Sequence, residues 1–139
     1  MDMPMTEAIA IRDASKHFGT HTAVNQLSLN VASGSICGFL GPNGAGKTTT
    51  LRMITGILAP DSGSVQVLDG QTPAAARAHI GYLPEENGLY KDMRVLELVS
   101  YFGRLRGLSR RDAQTRARKR LEDAGLGARL NSKCNTLSK

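Results

Sequence analysis

Residues 41–49 read Gly41-Pro42-Asn43-Gly44-Ala45-Gly46-Lys47-Thr48-Thr49, and within them Gly41, Gly46, Lys47 and Thr48 satisfy the spacing G-x-x-x-x-G-K-[ST]. A nucleoside triphosphate presents several anionic oxygens that must be gripped together. Glycines allow consecutive backbone N–H groups to turn inward, because no side chain obstructs them. Gly41, Gly44 and Gly46 supply that freedom. A helix opening near Lys47 would aim its positive end at the β-phosphate, while the Lys47 ammonium reaches the β and γ oxygens and the Thr48 hydroxyl holds Mg²⁺. Such a loop requires a strand before it and a helix after it. The apolar run 35–40 is expected as that strand, and Leu51, Ile54 and Leu58 follow at helical spacing.

Working outward, residues 8–13 and 23–31 alternate apolar and polar as half-buried strands do, and 17–22, containing Gly19, reads as the turn between them. Residues 64–68 read as another strand and 80–83 as a brief buried one. Between them 73–78 reads as a short helix, with Thr72 as N-cap and Pro73 at its first position. The last third is helical: Leu98, Phe102 and Leu105 mark one helix over 95–105, and a second begins after the capping hydroxyl of Ser109 and stops at Gly125. No internal repeat, low-complexity tract or long linker interrupts this order.

The 139 residues suit one domain, and 40% hydrophobic with 22% charged residues is ordinary globular composition. No apolar stretch approaches the ~20 residues that cross a bilayer. The first residues lack a basic start and an apolar core, so no secretory signal is expected. Cys37 and Cys134 stand alone, which excludes a disulfide framework and a multi-cysteine metal site and favours a reducing compartment. The net charge of +6 is regional. Arg104, Arg106, Arg110, Arg111, Arg116, Arg118, Lys119 and Arg120 face only Asp112 between residues 104 and 120, which leaves open a solvated helix face, a partner surface or phosphate-backbone binding. Aromatic residues, at 4%, are too scarce for single-strand stacking platforms.

The loop at 41–49 and the following Leu51-Arg52-Met53-Ile54-Thr55-Gly56-Ile57-Leu58-Ala59-Pro60-Asp61-Ser62-Gly63 resemble the nucleotide-binding domain of ATP-binding cassette (ABC) transporters, a resemblance that runs from the start through roughly the first half of the chain. It implies an α/β fold: the P-loop NTPase fold of ABC type, with an N-terminal antiparallel β subdomain and the start of the helical subdomain, truncated before the Walker B strand. On this view residues 1–139 are one incomplete ABC ATP-binding domain, with about 1–90 forming the ATP-binding core and β subdomain and about 91–139 the helical subdomain. The resemblance implies ATP and Mg²⁺ as ligands. It assigns nucleotide contacts to Phe18, Gly41, Pro42, Asn43, Gly44, Ala45, Gly46, Lys47, Thr48 and Thr49, with Phe18 stacking on adenine through its π face. It also assigns catalytic roles to Lys47 and Glu85 and metal contacts to Thr48 and Glu85. Glu85 stands where most members carry glutamine, and a carboxylate is the harder metal ligand.

The same resemblance implies a transmembrane permease subunit as partner, with Tyr90, Met93 and Leu96 as candidate contacts, and a second ABC ATPase domain bound head to tail in the full-length form. It places the protein in the cytoplasm, peripheral on the inner face of the membrane through the permease, with the arginine-rich helix near anionic lipid. Residues 80–90 resemble the loop linking the ATP core to the helical lobe, and the form Leu83-Pro84-Glu85-Glu86-Asn87-Gly88-Leu89-Tyr90 within it resembles the exporter branch. Thr136-Leu137-Ser138-Lys139 resembles the opening of the signature motif, and the family's metal aspartate, water-polarising glutamate and γ-phosphate-reading histidine have no match among the 139 residues. The function implied is that of an ATP-binding subunit coupling ATP binding and hydrolysis to transport, with this chain binding MgATP but hydrolysing it very weakly, in a poorly stable, association-prone fold. Nucleic acid is not expected as a partner. Two alternatives stay open: a non-transport ABC protein acting on the ribosome or nucleic acid, and a truncated, binding-only regulator.

Overall fold

Strands β1 (Glu7–Phe18) and β2 (His21–Ala32) form a hairpin closed by Gly19, whose φ of 58° suits the turn. The computed structural model describes residues 7–84 and 90–137 and divides into two compact units, Met1–Leu83 and Pro84–Lys139. In the first unit a third strand, β3 (Ser62–Val67), pairs antiparallel with the other side of β1, giving the sheet order β2-β1-β3. Strict alternation fails along β1. Ile11 faces Leu29 but Ala14 faces Leu27, because Asp13, at φ 46°, inserts an extra residue. A second bulge at Gln26, φ 45°, restores the register, so that Lys16 faces Val24. The backbone N–H groups freed by the bulges are taken by serines: Asp13 N–H donates to Ser28 Oγ and Gln26 N–H to Ser15 Oγ, each at 2.9 Å.

The bulge brings Ile11 and Ala14 into the same core, where they pack with Val24, Val65 and Met53. Met53 belongs to α1 (Lys47–Ile54), which lays Met53 and Thr50 inward and closes on Gly56 at φ 69°. A short helix, α2 (Pro73–Ala76), starts as its sequence predicts, with Ala75 N–H donating to Thr72 Oγ1 at 3.4 Å, and continues as one turn of 3₁₀ helix over Arg77–His79. Arg77 then donates to the Gly56 carbonyl at 2.7 Å, tying this segment to the turn just past α1.

Two expected strands are not formed. Residues 35–40 pair with no strand among the described residues, and Ile36 and Leu40 stand fully exposed; residues 80–83 likewise carry no ladder, with Leu83 exposed. A strand is stabilised by a neighbour that takes its backbone hydrogen bonds and covers its apolar face, and the described residues offer these runs none.

The second unit is built on α3 (Val95–Leu105) and α4 (Arg110–Asp123). Val95, Leu96, Ala117, Leu121 and Leu130 form its core. The N-terminus of α3 is satisfied in two ways: Glu97, in its first turn, reaches back to accept from the N-cap Arg94 N–H at 3.2 Å, and Val95 and Leu96 donate to the carbonyls of Ser132 and Leu130, outside the helix, at 3.0 Å. Ser109 caps α4 by accepting from Asp112 N–H at 3.1 Å, and Gly125 follows the helix at φ 75°. The α4 arginines lie on the exposed side, opposite Ala113, Ala117 and Leu121. No described helix is long and apolar enough to cross a membrane.

Candidate nucleotide-binding site

The loop 41–46 rises into α1 through two left-handed residues, Gly44 at φ 82° and Gly46 at φ 83°, while Gly41 needs no such conformation. At Gly46 the backbone of β2 comes so close that an added Cβ would collide with the Ala23 carbonyl oxygen and crowd Val24 Cγ2 at 3.1 Å. The loop is therefore seated directly on the strand. The intrahelical ladder of α1 begins where Thr50 N–H donates to the Gly46 carbonyl at 2.8 Å. Earlier N–H groups, at Lys47, Thr48 and Thr49, have no carbonyl one turn back within the helix, and the first turn contains no acid to compete for them.

Lys47 folds back over this loop. Its Nζ donates to the carbonyls of Gly41 and Pro42, both at 2.7 Å, so one cation and a row of helix-end N–H groups border the same few residues. Pro42, Asn43, Gly44 and Ala45 are exposed around it, with Ala45 N–H closing a turn on the Pro42 carbonyl at 3.2 Å. Thr48 is exposed beside Lys47 and Thr49 is half-buried. The donor set fits a magnesium-bound polyphosphate: N–H groups and an ammonium for anionic oxygens, and a neutral hydroxyl free for a hard cation. Among the described residues no group of three or more His, Cys, Asp and Glu side chains is arranged to hold a metal by itself.

Phe18 ends β1 and is 48% exposed, so it is not a core residue. It pairs with His21, two residues before the Ala23 carbonyl that meets Gly46, which puts the hairpin end and the loop in one neighbourhood. Two residues that sequence reasoning did not single out hold this end in place. Lys16 Nζ lies 5.8 Å from the Phe18 ring centroid and donates to Asp61 Oδ1 at 2.7 Å, and His17 N–H donates to Asp61 Oδ2, also at 2.7 Å. Lys16 and, behind it, the His17 N–H hold the Asp61 carboxyl below its usual value of 3.8. A depressed carboxylate contributes stability that is present above the unfolded value and is lost as pH falls through the lower, folded one. Lys16 and Asp61 lie far apart along the chain, and no local pattern pairs them.

Glu85 lies outside the described residues, as do Ser138 and Lys139 of the expected signature opening. Tyr90 and Met93 keep some exposure, but Leu96 is buried in the core of the second unit, where it packs with Leu121 and Leu130. Burial pushes the Cys134 thiol up from its ordinary value.

The family model described as ABC transporter matches residues 24–139. The chain is 39% identical over 137 residues to the Nod factor export ATP-binding protein I of Cupriavidus metallidurans, covering 96% of this chain and 45% of that one. It is 38% identical over 126 residues to the linearmycin resistance ATP-binding protein of Bacillus subtilis, covering 88% of this chain and 40% of that one. It thus spans less than half the length of these relatives. The crystal structure of a nucleotide-free ATP-binding cassette from an ABC transporter superimposes with a TM-score of 0.77 at 26% identity, over 96% of this chain and 60% of that one. Since the matched family region takes in the glycine loop, α1, the strand that follows and the whole helical unit, this chain belongs to the ABC transporter family, with the α/β fold of its ATP-binding cassettes.

Proposed function

We propose that the chain is the ATP-binding part of a transporter motor, in which the loop 41–49 grips MgATP and the whole protein couples its hydrolysis to export. The observation that carries this reading is the loop itself: two left-handed glycines deliver the free N–H groups of α1 and the Lys47 ammonium to one spot. Lys47 exchanges its two loop carbonyls for β and γ oxygens, the free N–H groups of Lys47, Thr48 and Thr49 meet the phosphates, and Phe18 stacks on the base. The Thr48 hydroxyl and, by resemblance, Glu85 would hold Mg²⁺, which when bound would supply neutralisation of the phosphate charge. Export is supported by the name of the Nod factor export relative in Cupriavidus, and membrane attachment through a permease and a head-to-tail partner ATPase domain by family membership. The first unit is assigned to the ATP-binding core and β subdomain and the second to the helical subdomain.

Titration of MgATP into the protein tests the reading: saturable one-site binding is expected, and its absence removes the proposal. Phosphate release by the 139 residues alone is expected at background rate, because phosphoryl transfer needs metal, positioned water and charge stabilisation together. Robust turnover in a phosphate-release assay would refute that second point. Phe18→Ala is expected to weaken ATP by about 1 to 2 kcal/mol while leaving inorganic tripolyphosphate, which has no base, unaffected. Equal affinity of the variant for ATP would remove Phe18 from the site.

A further inference from the structure

The turn after α1 returns to β1 and is locked there by a cluster of bonds that the phosphate loop does not use. Asp61 N–H donates to the Ser15 carbonyl at 2.9 Å, while its carboxylate accepts from Lys16 Nζ and His17 N–H at 2.7 Å each. Two residues on, Gly63 at φ 74° presses so closely on the bulge that a Cβ would collide with the Arg12 and Asp13 carbonyl oxygens. Lys16 is largely buried by these contacts, with its ammonium 5.8 Å from the Phe18 ring centroid. We propose that Asp61 is a positioning residue for the base of the nucleotide: it ties the turn following the phosphate-loop helix to the end of β1 and holds Lys16 against Phe18, leaving the rest of the ring open to adenine.

Two physical consequences make this more than an ordinary surface ion pair. The His17 N–H bond fixes the backbone next to Phe18, so loss of the carboxylate frees the strand end that carries the ring. The ammonium, once free of Asp61, gains solvent and leaves the aromatic surface, because a cation–π contact of this length is weak without a second anchor. The phosphates are gripped elsewhere, at residues 41–49, and none of the Asp61 partners lies in that loop. Asp61 therefore acts on the base end of the site and not on the phosphate grip. The inference rests on the stacking role proposed for Phe18.

The test measures, by titration calorimetry on the full chain, affinities for MgATP and for magnesium tripolyphosphate in the parent, Asp61→Ala, Phe18→Ala and the double variant. Asp61→Ala is expected to weaken ATP about 3- to 10-fold, leave tripolyphosphate within about twofold, and add nothing in the Phe18→Ala background. Parallel loss of ATP and tripolyphosphate binding would overturn the proposal by showing a general structural role. Unchanged ATP affinity in Asp61→Ala beside a weakened Phe18→Ala would overturn it while sparing the stacking reading. Unchanged ATP affinity in Phe18→Ala would fell both. The isosteric Asp61→Asn, which keeps an oxygen for His17 N–H and loses the ion pair, serves where the alanine variant does not fold, and the same split between ATP and tripolyphosphate is expected of it.

Discussion

Lys47→Ala is expected to abolish MgATP binding, with an affinity loss of at least about 100-fold and little change in folding stability. The two effects separate because the ammonium has different partners in the two situations. Without nucleotide it donates to the Gly41 and Pro42 carbonyls in an exposed loop, and those carbonyls turn to water when the side chain is removed. With nucleotide the same ammonium meets anionic oxygens in charge-assisted bonds worth about 1.5 to 3 kcal/mol each, and two such bonds account for a factor of 100 or more. Titration calorimetry beside urea unfolding reads both quantities. Affinity within threefold of the parent would remove the phosphate-loop assignment, and a collapse of stability would show that Lys47 holds the loop instead of serving it.

Gly46→Ala is expected to destabilise the first unit by about 2 to 4 kcal/mol and to displace the loop from β2. Two penalties add at this one residue. An alanine resists φ 83°, and its Cβ is driven into the Ala23 carbonyl, which is backbone and has no room to rotate away. Gly44 provides the control, since its φ of 82° is nearly the same while nothing lies within 4 Å of an added Cβ. Gly44→Ala is therefore expected to cost about 1 kcal/mol, the conformational penalty alone. Urea midpoints for the two variants decide the matter: equal costs would mean that close approach to β2 plays no part. The loss of nucleotide affinity should follow the same order.

Much of the candidate site could be read directly because its rules are local. The spacing of Gly41, Gly46, Lys47 and Thr48 concerns one loop and one helix, and α1 opens at Lys47 where the motif requires. Caps behave the same way. Thr72, Ser109 and Gly125 act on residues three or four away, and each stands where its helix begins or stops. The arginines of α4 were legible as an exposed set because a helix with buried Ala113, Ala117 and Leu121 has only its other faces left for them.

Strands were harder, for a reason visible at Asp13. Alternation carried the reading of the first strand only to residue 13, whereas β1 continues to Phe18, because a bulge there breaks the two-residue period and a second bulge at Gln26 repairs it. The opposite error occurred at residues 35–40 and 80–83, where apolar composition promised strands and the described residues contain no ladder for either. By itself, then, the sequence determined the glycine loop opening into α1, the helices and their caps, all of which depend on neighbours within about one turn. The tertiary structure alone decided which apolar runs became strands, how closely Gly46 sits on Ala23, and that Lys16 and Asp61 meet beside Phe18. Those outcomes need a partner distant in the chain, and neither a sheet ladder nor an ion pair exists until folding supplies it.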